Sequence, residues 1–435
     1  MAKDTDPTHL ISHWRERVPW ALVAAIAIFL VLGSAYVQRA IPRGASNFDS
    51  ANYEAMTKQW LETGVYGYWA LDNPGEPDAV VTPGYPIFLA PFYYFSEETD
   101  PQTPGGPYSL IFTTQLFIGA VLLFLVWLYA RMVATQRAAN IAVLLLAPMW
   151  SFYNTVGVVL TSLLATTLIM GYFVVLGLAF QRRNQWLALA AGFLLAAGLL
   201  TRPTLALASL IPLVLGFSSV IKPQRRQALF ALVGIALPFI PWIVRNWATF
   251  GRPMLIEGRT DPIVGGVDPY FRGQPGTETQ THGVSLGNYA TMKEYDQNLS
   301  PLAFGWRIVK LNFASAPHEV VGWFTVGKLQ YLAFANLPAS ATEGAIDGIL
   351  LSSVSSLGLT GAFLSIRWRD LVPTAAMVAV WLAQNTLMVP DQRYWFDILP
   401  FLAVLAGALI SAAWGRAPIS KARAAARTAP AQGPA

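Results

Sequence analysis

Four residues of this 435-residue chain could act together on an anionic or hydroxyl-bearing ligand. Asp49 follows the first apolar run, where a carboxylate could accept a proton or cap the helix that comes next. Arg202, Arg245 and Arg393 interrupt or end apolar stretches, in "LLTRPT", "WIVRNW" and "DQRYWF". Arginine suits phosphate because its planar fork donates two parallel hydrogen bonds and stays protonated. The alternative for each arginine is a snorkelling anchor among interfacial aromatic residues such as Tyr394.

The elements that would position these residues are membrane helices. Hydrophobic residues make up 54% of the chain and charged residues only 12%, which is unlike a soluble domain. A helix of roughly 17 to 25 apolar residues crosses a hydrocarbon core of about 30 Å. The sequence therefore predicts an all-α integral membrane protein with about ten transmembrane helices, near residues 18–40, 109–130, 138–153, 156–180, 185–201, 203–221, 228–246, 345–366, 371–389 and 395–414.

Charge predicts the orientation of these helices. With both termini in the cytoplasm, the cytoplasmic segments hold 16 basic and 4 acidic residues, and the opposite face holds 13 and 20. Short cytoplasmic loops retain Lys and Arg, so this orientation is the expected one. It gives a cytoplasmic N-terminus (1–17), a membrane domain (18–414) with external loops at 41–108 and 247–344, and a basic tail (415–435). We expect the tail to be disordered, either near anionic lipid or as a solvated topology anchor.

Several classes of chemistry are excluded or unsupported. The chain has no cysteine, so it forms no disulfide and uses no thiolate. The glycine-rich part of the second external loop matches no phosphate-binding or dinucleotide motif, and its composition favours a mobile lid. Asp261, Asp268, His282 and His318 in or near it could bind sugar hydroxyls, but we expect exposed loop residues. The basic balance is explained by topology, so no nucleic-acid partner is inferred.

Both external loops carry amphipathic segments that should lie at the membrane surface. "NYEAMTKQWLETG" places Tyr53, Met56, Trp60 and Leu61 on one helical face and ends at a glycine. Glu54 on this helix could join Asp49 in substrate binding, although a solvated position is the alternative. In the second loop, 319–336 could span the membrane, but Lys328 in its middle would cost several kcal/mol there. We therefore predict an interfacial segment.

The order of features in the first loop resembles a known superfamily. Asp49 at the end of the first span is followed by the surface helix, by "GVYGY" and by "TPGYPIFLAPFYY". Stretches at 196–207, 238–258 and 391–407 match those of bacterial members. The chain thus resembles the GT-C polytopic glycosyltransferases, and within them the group of dolichyl-phosphate-mannose protein mannosyltransferases and the lipid A aminoarabinose transferase.

The resemblance implies a GT-C-like fold and a reaction. The reaction is inverting transfer of a sugar from a polyprenyl-phosphate donor to a glycan, lipid or protein hydroxyl, on the extracytoplasmic face of a bacterial inner membrane. Asp49 would be the general base, and no cofactor is implied. The expected substrate-binding residues are Tyr53, Glu54, Tyr85, Arg202, Arg245, Lys328, Arg393 and Tyr394.

The sequence departs from the superfamily at two places. Many relatives have a second acidic residue before the fourth span, where this chain has Asn154, Thr161 and Ser162, so we predict no essential protein-bound metal. The aminoarabinose-type relatives have a phosphate-binding Lys-Pro-Pro sequence where this chain has Thr82-Pro83-Gly84. That lysine has no counterpart here, and Tyr85 could line the pocket or belong to a rigid turn.

A transporter or flippase of a lipid-linked sugar is the alternative function. It would share the helices and the recognition of lipid phosphate. Transporters, however, usually carry ionisable groups near the membrane midplane and internal repeats. The predicted spans hold few charges and show no convincing repeat, so an enzyme with its polar chemistry on one external face is favoured.

Overall fold

The fold is helical, as the apolar runs predict. A computed structural model of the chain describes residues 19–45, 47–96, 105–217, 224–257, 263, 266–269, 300–334, 341–365, 368–388 and 392–414. Every regular element among these residues is a helix. The N-terminus, the basic tail and most of the predicted glycine-rich lid, including Asp261 and His282, lie outside the described residues.

The described α-helices follow one another along the chain with short 3₁₀ and π turns between some of them. In chain order they are α1 (Trp20–Ala40), α2 (Phe48–Thr63), α3 (Gly84–Phe95), α4 (Pro107–Val133), α5 (Gln136–Leu146), α6 (Trp150–Val156), α7 (Ser162–Arg182), α8 (Gln185–Thr201), α9 (Ala206–Ser209), α10 (Ile211–Phe217), α11 (Arg225–Phe250), α12 (Pro301–Ser315), α13 (Pro317–Gly322), α14 (Lys328–Phe334), α15 (Ala341–Leu364), α16 (Val372–Asn385) and α17 (Gln392–Trp414).

Six of the described helices are long and apolar enough to cross a membrane. They are α1, α4, α7, α11, α15 and α17, and the bent pair α5 and α6 would make a seventh. Each of the ten predicted runs contains helix, but α8 and α16 are short and the run at 203–221 is divided among several pieces. The number of ten spans therefore stays a prediction. The segment containing Lys328 is not among the six.

The helix predicted at 138–153 is not continuous. α5 and α6 meet at an angle of 69°, because Pro148 cannot continue the first helix and disfavours helical backbone in the residue before it. The chain bends just after α6, and there Gln115 of α4 donates through Nε2 to the carbonyls of Val156 (2.7 Å) and Val158 (2.9 Å). A buried amide thus satisfies backbone groups that a broken membrane helix leaves open.

Close contacts between small residues hold the bundle together. α17 packs against α5 and α15, and α8 packs against α7 and α11. A Cβ placed on Gly192 of α8 would lie 2.0 Å from the carbonyl oxygen of Ala231 in α11, and one on Gly234 would lie 2.2 Å from that of Leu189. Glycine at these positions lets the two backbones approach, a common device where lipid offers no hydrophobic drive for helix association.

The segment between α1 and α4 docks on this bundle as α2 and α3. α2 ends at Gly64, which takes the left-handed conformation (φ +75°) expected after a helix C-terminus. Its predicted apolar face is buried through Tyr53 and Met56, whereas Leu61 is exposed. α3 packs against α2 and α8. A Cβ on Gly84 would lie 2.6 Å from the backbone nitrogen of Thr201, so α3 starts in close contact with the end of α8.

Candidate active site

The centre of the candidate site is an ion pair between Asp49 and Arg393. Asp49 lies in the first turn of α2 and Arg393 in the first turn of α17. Arg393 Nη1 donates to Asp49 Oδ2, and their side chains are 33% and 27% exposed, so a ligand can reach both. Asp49 does not cap α2: that role belongs to Asn47, whose side chain accepts from the Ser50 amide at 2.9 Å. The capping alternative for Asp49 is therefore wrong.

The other carboxylate oxygen of Asp49 accepts from a tyrosine. Tyr68 Oη donates to Asp49 Oδ1 at 2.7 Å, and the Tyr68 side chain is buried. Asp49 is thus held on one oxygen by a phenol and on the other by a guanidinium. Because both of its oxygens are held, this carboxylate has a fixed orientation in which it could accept a proton.

A second, buried ion pair lies close by. Arg202 ends α8, and its Nε is 3.1 Å from Oδ2 of Asp397 in α17. Arg202 Nη1 also donates to Ser162 Oγ and, at 3.4 Å, to Thr161 Oγ1. In the described part of the chain, Arg202 Nη2 makes no hydrogen bond.

Tyr394 joins the two ion pairs. Its ring centroid lies 4.8 Å from Arg202 Cζ and 5.4 Å from Arg393 Cζ. Both guanidinium groups therefore contact one aromatic ring, an arrangement stabilised by cation–π attraction. Each guanidinium is also paired with a carboxylate, Arg202 with Asp397 and Arg393 with Asp49, so the cluster combines charged hydrogen-bond donors with a possible proton acceptor.

Tyr53 lies close to the charged groups of this cluster. Its ring meets that of Tyr68 edge to face at 5.6 Å and that of Tyr85 at 5.2 Å. Burial raises the pKa of Tyr53, the negative charge of Asp49 raises it further, and the charges of Arg202 and Arg393 oppose the rise. The phenol is therefore neutral and offers a hydrogen bond rather than a charge.

Tyr85 and Glu54, both predicted to bind substrate, have other partners. Tyr85 is fully buried in α3, and its hydroxyl donates to Gln115 Oε1 at 3.1 Å. Its ring packs against that of Tyr53, so it supports Tyr53. Glu54 accepts from Lys58 Nζ at 2.6 Å and from the Tyr108 hydroxyl. Its side chain is only 15% exposed, so the alternative of a solvated residue is wrong.

Arg245, predicted to bind phosphate, contacts the protein backbone. Its Nη1 donates to the Asp78 carbonyl at 2.9 Å and its Nη2 to the Tyr66 carbonyl at 2.8 Å. Its Cζ lies 5.2 Å from the ring centroids of Tyr66 and Trp242. Arg245 therefore clamps the loop after α2 and is not aimed at the Arg202 and Arg393 cluster.

Lys328 also binds backbone groups. It is 3% exposed, and its Nζ donates to the Gly266 carbonyl at 2.8 Å and to the Thr386 carbonyl. These contacts tie Gly266, in the segment between α11 and α12, to the end of α16. In the same loop Asp268 is fully buried, contrary to the expectation of an exposed residue, whereas His318 is 82% exposed as expected.

Sequence reasoning missed Tyr68 and Asp397 as site residues. Asp397 stands inside the apolar run "WFDILPF", and a lone acid there was a signal, because a buried carboxylate needs a cationic partner. Tyr68 gave a weaker signal as part of "GVYGY". No group of three or more His, Asp or Glu among the described residues is arranged to hold a metal ion, and the absence of an essential metal stays a prediction.

Comparisons with known proteins came from solved structures, since no protein-family model and no curated protein matches. One similar structure is the oligosaccharyltransferase AglB from Archaeoglobus fulgidus in complex with an inhibitory peptide and a dolichol-phosphate, with 11% identity, 94% of this chain and 52% of that chain covered, and a TM-score of 0.48. Another is ArnT from Cupriavidus metallidurans bound to undecaprenyl phosphate, with 12% identity, 93% and 78% coverage, and a TM-score of 0.38.

These structural neighbours are GT-C proteins, the group that the sequence resembles. This chain spans about half the length of the oligosaccharyltransferase that it matches. With TM-scores below 0.5 and identities of 11% to 13%, the function has to be argued from the residues of the site.

Proposed function

We propose that this chain is an integral-membrane glycosyltransferase that transfers a sugar, with inversion, from a polyprenyl-phosphate donor to a hydroxyl of a glycan, lipid or protein acceptor. The observation that carries the proposal is the accessible Asp49 carboxylate beside two arginines that share the Tyr394 ring. Proton acceptor and anion-binding cations thus occur together at the helix ends of a membrane bundle. The reaction would take place on the extracytoplasmic face of a bacterial inner membrane.

Each group has a task in this reaction. The acceptor oxygen attacks the anomeric carbon while Asp49 takes its proton, and the bond from that carbon to the phosphate oxygen breaks. The electron pair of the broken bond stays on the phosphate. Arg202, through Nη2, and Arg393 stabilise that charge as it develops. The Arg393 guanidinium has several donors on one plane, so it can hold Asp49 with one arm and meet phosphate with another.

The surroundings support these tasks. Asp397, Ser162 and Thr161 fix Arg202 on one side, which leaves Nη2 for the donor. Tyr394, which is only partly buried, gives the site an aromatic and hydroxyl surface of the kind that packs against sugar rings and binds their hydroxyls. We keep Arg245 and Lys328 outside the donor site because the cationic group of each donates to two backbone carbonyls.

Transfer assays on purified protein in nanodiscs test the proposal. Polyprenyl-phosphate sugars differing in the sugar are offered one at a time, with lipid and peptide fractions of a bacterial envelope as acceptors. We expect one donor to lose its sugar to an acceptor without any nucleotide sugar. Binding without turnover, together with movement of the labelled lipid across vesicle membranes, would overturn the proposal in favour of a flippase.

A further inference from the structure

Tyr68 connects Asp49, the candidate base, with the loop that follows α2 and carries Tyr68. Its hydroxyl donates to Asp49 Oδ1 at 2.7 Å, while Asp49 Oδ2 accepts from Arg393. The tyrosine is 2% exposed, so its phenol has little access to ligand. Its position relative to Asp49 is set by packing and by the loop that carries it.

The loop is organised around the carboxylate of Asp78. Oδ2 of Asp78 accepts from the backbone amides of Tyr68 at 2.6 Å and Trp69 at 3.2 Å, and Oδ1 accepts from that of Val80 at 3.0 Å. The Asp78 amide in turn donates to the Tyr66 carbonyl at 3.0 Å. These bonds close the segment from Tyr66 to Asp78 into a compact turn and fix the backbone of Tyr68.

Gly67 makes this closure possible. A Cβ on Gly67 would lie 2.2 Å from the carbonyl oxygen of Glu76, so any other residue would push the two sides of the turn apart. The phenol of Tyr68 would then move away from Asp49.

Arg245 anchors the closed turn to the membrane bundle. It donates to the carbonyls of Tyr66 and Asp78, at the two ends of the turn, and stacks on Tyr66 and Trp242. Because Arg245 belongs to α11, the turn is held against a spanning helix on one side and against Asp49 on the other.

We propose that Tyr68 is a positioning residue that orients the Asp49 carboxylate, and that Arg245 and Asp78 act on the reaction through it. The inference rests on the proposed function and adds a residue that works through Asp49 rather than on substrate. Arg245 then affects the rate of proton removal and not the affinity for the lipid phosphate.

The test compares kcat and donor KM in Tyr68→Phe, in Arg245→Gln and in the control Tyr94→Phe, whose residue is 65% exposed on α3. Loss of a hydrogen bond to a charged group predicts a kcat about tenfold to hundredfold lower in Tyr68→Phe. We expect Arg245→Gln to lower kcat as well. Donor KM should change by less than about threefold in both variants, and Tyr94→Phe should behave as wild type.

Binding of a sugar-free polyprenyl phosphate separates the possible failures. Normal kcat in Tyr68→Phe, with transfer by the wild type still dependent on Asp49, overturns the inference alone. An Arg245→Gln variant with weakened lipid-phosphate binding and normal kcat also overturns it, because Arg245 would then be a phosphate ligand. If the wild type transfers no sugar, the proposed function fails and the positioning role falls with it.

Discussion

Arg393 and Asp49 are 344 residues apart in the chain, yet the guanidinium of one donates to the carboxylate of the other. The contact joins the first turn of α17 to the first turn of α2. It brings the proposed proton acceptor next to a cation that can meet the departing phosphate.

Replacing Arg393 with glutamine should weaken donor binding. Glutamine can still donate to Asp49, but it lacks the positive charge that attracts phosphate. A charge-assisted hydrogen bond contributes about 1.5–3 kcal/mol, so we expect donor KM to rise about tenfold to hundredfold. Steady-state kinetics with varied donor measure it, and Arg252→Gln, at an exposed position after α11, is the matched control. Unchanged donor KM in Arg393→Gln would contradict a phosphate-binding role.

Removing one member of the buried pair between Arg202 and Asp397 should destabilise the fold. Both side chains are under 10% exposed, and Asp397→Asn would leave the guanidinium without its counter-ion. Breaking a buried pair costs about 3–5 kcal/mol, which a thermal unfolding experiment in detergent detects as a lower Tm. The double variant Arg202→Met with Asp397→Leu should recover part of the loss, since neither charge then stays buried alone. A Tm equal to wild type in Asp397→Asn would show that the pair does not support the fold.

The contact between α8 and α11 should not tolerate a methyl group. Gly192→Ala would place its Cβ 2.0 Å from the carbonyl oxygen of Ala231, so the two backbones would have to separate. We expect a lower Tm and reduced yield of folded protein. Gly171→Ala is the control, because its Cβ would meet side-chain atoms at ordinary distances of 3.6 Å and more. Equal stability of the two variants would mean that close approach is not required here.

Lys328 should make stability depend on pH. Burial lowers the pKa of Lys328 to about 7, below the usual value of 10.5. Between these values the unfolded chain binds a proton that the folded protein does not, so this residue makes stability rise as pH increases from 7 to 10.5 and leaves it flat below 7. Subtracting the Tm curve of Lys328→Met from that of the wild type isolates the effect. A difference that stays constant with pH would rule it out.

Much of the fold could be predicted because its signals are local. Length and hydropathy place helices at the apolar runs, and the glycine after α2 ends that helix as expected. The face of α2 that contains Tyr53 and Met56 is buried as its periodicity predicts. Pro148 also indicates the break between α5 and α6, but the run is apolar on both sides of it and therefore resembles one continuous span.

The candidate site was predicted only in part because its partners are far apart in sequence. Separate local features of the sequence predict five of the site residues, and the structure brings these five together: Asp49, Tyr53, Arg202, Arg393 and Tyr394. Arg245 resembled them in sequence, but its partners are carbonyl groups of a loop whose folding no local pattern reveals. Asp397, an acid in an apolar run, signals that a cationic partner is needed, but no local pattern indicates that this partner is Arg202.

The most direct test of the central claim is sugar transfer by Asp49→Asn. Asparagine keeps the shape of the side chain and can still accept from Tyr68, but it cannot take a proton from the acceptor. We predict that transfer falls at least about a hundredfold while binding of polyprenyl phosphate persists, and that Asp72→Asn, at an exposed position between α2 and α3, transfers at the wild-type rate. Wild-type turnover in Asp49→Asn would contradict the account.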